Sequence, residues 1–157
     1  MNEIKPKSSI LSSIDFEYKL FWKHNKAIKK LMIKNFLIIN CIGKNDKIGL
    51  KIDRNFFKHD FNNSKKNNDQ LVISILNLTK KHKANFDKDF SILVNFGPGR
   101  FSSLRVSLAV AKGIKLSKKI NFFGYNNSDL GHFNLANIEL LIKKNLIQKN
   151  LVKPLYL

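Results

Sequence analysis

Cysteine is almost missing from this chain. Cys41 is the single one among 157 residues, so no intramolecular disulfide can form and no cysteine-based zinc site can be assembled. A chain of this kind is expected in a reducing, cytoplasmic setting. Acidic residues are also few: 11 Asp and Glu stand against 29 Lys and Arg, a formal charge of +18. Arginine, the usual reader of base edges, occurs only at Arg54, Arg100 and Arg105. Long apolar runs are absent. The best, Phe36–Ile42, is interrupted by Asn40 and falls far short of the roughly 20 residues that span a bilayer, so no membrane role is expected. Met1–Ser9 is polar and lacks the apolar core of a secretion signal. His24, His59, His82 and His132 do not pair at metal-ligand spacing, so neither a metal nor a cofactor is expected.

What is present is enough apolar material for a core. Hydrophobic residues make up 43% and aromatics 11%, which excludes a disordered tail. The length fits one domain, or one and a fraction. The positive charge has two readings. One is a surface for nucleic acid or an acidic partner. The other is coding bias, since Lys, Asn and Ile are abundant throughout and the lysines are spread rather than blocked.

Residues 1–34 differ from the rest. Ser12 or Ser13 can cap a helix with Asp15 and Glu17 in its first turn. Ile14, Tyr18, Phe21, Trp22, Ile28 and Met32 recur at three- and four-residue steps among lysines. That describes a basic helical extension, and Met32 is an equally good candidate for the true start. The pattern then predicts strands at 36–42, 48–52 and 56–61, and a helix capped by Asn68 or Asp69 with Leu71, Ile75 and Leu78 on its apolar face. Phe90–Phe96, nearly all apolar, reads as a strand buried on both faces. A helix over 101–117, a strand over 120–124, a loop at 126–129 and a helix carrying Leu135 to Leu146 follow. The order is mixed α/β.

Gly97-Pro98-Gly99 marks a sharp turn between the buried strand and the helix that follows. Its glycines supply backbone conformations that other residues avoid, and they deliver the chain to a helix N-terminus where free N–H groups can hold an anion. Ser102 or Ser103 is the expected cap. A Walker A loop does not fit, because no Gly-Lys-Ser/Thr follows. A dinucleotide fingerprint fails on its third glycine and on the acidic residue after the next strand. A plain structural turn remains open.

Gly97-Pro98-Gly99-Arg100-Phe101-Ser102-Ser103-Leu104-Arg105-Val106, followed by Ala109, Lys112-Gly113 and the strand ending Phe123-Gly124-Tyr125, resembles the TsaB (YeaZ) family. That family's pattern is Gly-Pro-Gly-Ser-Phe-Thr-Gly-Leu-Arg-Ile-Gly, then a helix with Ala and Lys-Gly, then a strand ending in Gly. Lys153-Pro154-Leu155-Tyr156-Leu157 is similar to the family's Pro-x-Tyr-x-Arg ending without its Arg. The resemblance implies an actin-like ATPase (sugar kinase/Hsp70, ribonuclease H-like) first lobe at 35–128. Residues 129–157 would be the remnant of a largely missing second lobe. It implies a non-catalytic partner in forming N6-threonylcarbamoyladenosine beside the anticodon of tRNA. Such a subunit pairs as a heterodimer with a TsaD-type catalytic subunit, is joined by a TsaE-type ATPase, and meets tRNA through the complex; alone it can form a homodimer. The pairing surface implied is the two first-lobe helices. Its candidates are Leu71, Ile75, Leu78, Phe101, Leu104, Arg105, Leu108, Ala109 and Lys112, with Gly97, Pro98, Gly99, Ser102 and Ser103 as the motif turn.

The chain also departs from the pattern. The family's opening Ile-Leu-x-Ile-Asp-Thr-Ser is replaced by Leu37-Ile38-Ile39-Asn40-Cys41-Ile42-Gly43. Asn40 takes the place of an Asp that would hold a metal in a working kinase of this fold. Arg100 stands for Ser, and Ser102 and Ser103 for Thr and Gly. The sister TsaD family's His-x-x-x-His motif does not occur. The alternatives to a partner subunit are a basic RNA-binding module acting alone and a small nucleotide-dependent enzyme using the Gly97 turn.

Overall fold

A computed structural model describes residues 14–20, 32–61, 69–149 and 152–157. The chain divides into two compact units, Met1–Leu31 and Met32–Leu157. In the first, residues 14–20 are helical, with Lys19 Nζ donating to Asp15 Oδ2 at 2.7 Å one turn away. The expected caps Ser12 and Ser13, and Phe21, Trp22 and Ile28, lie outside the described residues. Met32 is not part of that helix; it belongs to the second unit as exposed, irregular chain.

The second unit is one mixed sheet with helices on both faces. Its strands are β1 (Phe36–Asn40), β2 (Lys47–Ile52), β3 (Asn55–Asp60), β4 (Ser91–Asn95), β5 (Asn121–Tyr125) and β6 (Ile147–Gln148). The helices are α1 (Gln70–Lys81), α2 (Phe101–Lys118), α3 (Asn127–Leu130) and α4 (Leu135–Lys143). The strand order is β3-β2-β1-β4-β5-β6. β1, β4 and β5 are parallel, while β2, β3 and β6 join antiparallel.

Alternation along the strands sorts the side chains into two cores. Leu37, Ile39, Cys41, Ile48, Leu50, Ile92, Val94 and Phe122 pack beneath α1 and α2, which supply Leu71, Ile75, Leu78, Leu108 and Ala111. Phe36, Ile38, Leu93, Phe123 and Tyr125 face the other way, under Leu130 of α3 and Ile138 and Leu141 of α4. Every residue of β1 and β4 is buried, the outcome expected of apolar strands covered on both sides.

Several expected boundaries shift for local reasons. Residues 126–129 are not a plain loop: the Asn126 side chain accepts from Ser128 N and caps α3. The last helix ends at Lys143 rather than Leu146. Asn145 there adopts a left-handed backbone, φ 56, and Leu146 N–H closes back on the Leu141 carbonyl. Asp69 sits at the N-cap of α1 but makes no side-chain capping bond, and Asn68 lies outside the described residues. Helices α3 and α4 cover the second face of the sheet, and β6 extends its edge. Among the described residues, no helix is long and apolar enough to cross a membrane.

Burial pushes the Cys41 thiol well up, with nearby Asp46 adding in the same direction, and burial likewise raises the Tyr125 phenol. Both groups are neutral in the folded state. Their folded values lie above the unfolded ones, so their contribution to stability is full below the unfolded cysteine value of about 8.5 and is lost as pH rises beyond it. The thermal midpoint is therefore expected to fall above that pH. In Cys41→Ala the alkaline fall should begin only near the unfolded tyrosine value of about 10, as a melting series against pH would show.

Candidate functional site

The parallel strands β1, β4 and β5 end on one edge of the sheet, the edge where open α/β sheets hold their ligands. Asn40, Asn95 and Tyr125 are the last residues of these three strands. Asn95 Nδ2 donates to Asn40 Oδ1 at 2.6 Å and to Asn127 Oδ1 at 3.0 Å. Its Oδ1 accepts from Gly97 N–H at 2.8 Å. The Tyr125 hydroxyl, fully buried, donates toward Ile39 O at 3.2 Å and Asn40 Oδ1 at 3.3 Å. The edge is thus lined by amides and a neutral phenol that satisfy one another. Asn40, expected at the position of a metal-holding Asp, is an acceptor inside this network. Among the described residues no three His, Cys, Asp or Glu side chains gather into a metal-binding group.

The Gly97–Gly99 turn is filled by the chain's own C-terminal segment. Leu155 N–H donates to Phe96 O at 2.7 Å, Gly99 N–H to Leu155 O at 3.2 Å, and Leu157 N–H to Gly99 O at 3.2 Å. Gly99 and Tyr156 form a parallel bridge. Gly97 has φ +113, a region L side chains avoid, and a Cβ there would collide with the Leu155 carbonyl oxygen. A Cβ on Gly99 would press on Ile42 at 2.9 Å. Pro98, joined through a cis bond, is half-buried beside them. The glycines are needed for close backbone approach within the chain.

The start of α2 corrects one expectation. The cap is Arg100, extended at φ −65 and ψ 133, with no side-chain bond to the helix. Ser102 and Ser103 are already helical, Ser102 exposed and Ser103 buried. The helix entrance is anchored by backbone instead: Arg100 N–H donates to Ile42 O at 3.0 Å. The extended stretch that a cap requires falls on the residue directly after the glycine turn, which leaves no capping position for either serine.

The pairing candidates divide between two faces. Leu71, Ile75, Leu78, Leu104 and Leu108 point into the sheet and are buried, so they are core and not available to a partner. Ser103, Ser107 and Ala111, one turn apart, let α2 sit close on the sheet. Phe101, Arg105, Ala109 and Lys112 face outward in one stripe, extended by Leu116, which is 76% exposed. The Phe101 and Tyr156 rings pack at a tilt of 46° with centres 4.6 Å apart, and the Arg105 guanidinium lies 4.8 Å over the Phe101 ring. α1, over the same sheet face, exposes Val72, Ile73 and Leu76. These three were not among the expected pairing residues. Their signal in the sequence is an apolar side left over once Leu71, Ile75 and Leu78 are assigned to the core.

No family model matches the chain, and no curated protein matches it. Among solved structures it matches YeaZ from Pseudomonas aeruginosa at 15% identity and a TM-score of 0.55, over 62% of this chain and 45% of that one. The chain is similar in fold to YeaZ. A second structure from the same organism, described as an uncharacterized protein with similarity to peptidase YEAZ, matches equally at 15% and 0.55, over 62% and 44%. The chain spans less than half the length of either. The mixed six-stranded sheet with helices on both faces is the part of the fold that the chain shares with YeaZ.

Gly97→Ala should displace residues 155–157 from the turn. The expected cost is about 2–4 kcal/mol, from left-handed strain plus the lost backbone bonds. Denaturant titration measures it, and faster hydrogen exchange at the Leu155 and Gly99 amides should accompany it.

Proposed function

We propose that this chain is a non-catalytic partner subunit in the formation of N6-threonylcarbamoyladenosine next to the anticodon of tRNA. It pairs with a TsaD-type catalytic subunit through the outward sides of α1 and α2. The observation that carries the pairing is the double apolar face: Val72, Ile73 and Leu76 on α1, and Phe101, Ala109 and Leu116 on α2, exposed on helices that share one face of the sheet. Apolar rows on neighbouring helices fit a helical partner laid against them. Arg105 and Lys112 border the α2 row and suit an acidic rim on that partner.

Two further observations support the family part of the reading: the motif from Gly97 to Tyr125 and the YeaZ fold. The non-catalytic part draws on the strand-end network, where an amide stands at the position of the kinase carboxylate and the glycine turn is occupied by residues 155–157. In this reading a TsaE-type ATPase joins the complex, tRNA is met through the complex, and the same helix faces form a homodimer when the chain is alone. The assignment places the chain in the cytoplasm. The basic RNA-binding reading rests on the +18 charge.

The test is co-purification with a TsaD-type subunit from the same source. Ala109→Trp adds bulk on the outward side without entering the core, so the fold should hold within about 0.5 kcal/mol. Complex affinity should fall by about 100-fold, as expected for a blocked interface centre. An unchanged complex would remove α2 from the interface.

A further inference from the structure

A groove of about 540 Å³ lies between strand β3 and helix α1, away from the glycine turn and apart from the outward side of α1 that bears Val72, Ile73 and Leu76. Its size is in the range of small-ligand sites. β3 is the outermost strand of the sheet, so the groove opens at an edge. Its walls carry His59 from β3 and Asn77, Lys81 and His82 from α1 and its cap. Phe57 forms part of the floor, and its ring stacks on His82 with centroids 3.5 Å apart and planes 14° from parallel.

The chemistry of these walls is one-sided. No described lining residue is a carboxylate. The acid of the same strand, Asp60, lies on the opposite face of β3 from Phe57, where it pairs with Lys58 at 3.6 Å. The carbonyls at the end of α1 have partners: His82, Lys83 and Ala84 N–H groups donate to Leu78, Lys80 and Thr79. Lys81 is left facing the groove beside a flat, stacked ring pair. A cation next to a planar stacking surface, with an amide able to donate and accept, matches the parts of a nucleotide.

We propose that the β3–α1 groove binds an aromatic base carrying phosphate, a nucleotide either free or within a single RNA strand. Lys81 meets the phosphate, the Phe57–His82 stack meets the base, and Asn77 meets its polar edge. The site is independent of the pairing proposed for α1 and α2.

The probe is a fluorescein-labelled oligouridylate of about ten nucleotides, read by anisotropy at a fixed salt of about 0.15 M, with uridine monophosphate as competitor. Binding is expected, and Lys81→Glu and His82→Ala should each weaken it about tenfold. Lys143→Glu makes the same charge change on α4, across the sheet, and should weaken it less than about twofold. Thermal melts check folding; Lys81 is exposed, so its variant carries the test if the His82 variant unfolds. Displacement or direct binding by the monophosphate assigns the site to free nucleotides, and binding of the oligonucleotide alone assigns it to a strand. Equal losses from Lys81→Glu and Lys143→Glu, no loss from Lys81→Glu, or no binding of either probe would each overturn the proposal.

Discussion

The backbone groups of a tight glycine turn cannot all bond within the turn, and in this protein a distant segment satisfies them. Phe96 O, Gly99 N–H and Gly99 O are all taken by Leu155 and Leu157. That arrangement fixes the exit of the central strand β4 and the entrance of α2. It brings Tyr156 onto Phe101, and Val152 packs into the space that Gly124 leaves open. The neighbouring amide network, Asn95 with Asn40, Asn127 and Gly97, ties the three parallel strand ends to the same turn. An edge that holds ligands in other α/β sheets is here satisfied by the chain itself.

The sheet was legible in the sequence because strand periodicity and burial follow the same rule. Phe36 to Asn40 and Ser91 to Asn95 are apolar enough to be buried on both faces, and they are. β6, two residues long, carries no period to read, and the pairing of Leu155 with Phe96 spans too much chain to appear in any local pattern. The candidate site was legible in its turn and less so in its surfaces. Leu71, Ile75 and Leu78 are the strongest apolar row of α1, and such a row goes to the helix's own sheet before any partner. The apolar residues left exposed on α1 form the weaker second row, Val72, Ile73 and Leu76. Ser102 and Ser103 look like caps because serine so often is one, yet α2 starts on a backbone bond from Arg100, which no side-chain preference reveals.

The layer of α1 and α2 thus serves two purposes. Its inner sides make the larger core, and small side chains at Ser103, Ser107 and Ala111 bring α2 close to the sheet. Its outer sides leave Val72, Ile73, Leu76, Phe101 and Leu116 exposed. Charge is distributed differently: Lys81 at the end of α1 lines a groove, whereas Lys112 on α2 borders an apolar stripe. A single number for net charge hides that division.

As proposed, this chain is needed by a TsaD-type subunit and is inert alone. The most direct measurement is nucleoside mass spectrometry of tRNA after reconstitution of threonylcarbamoylation with the TsaD-type and TsaE-type subunits, with and without this chain. The account predicts modified adenosine only when the chain is present, and none from the chain by itself. Equal modification in its absence would contradict the account.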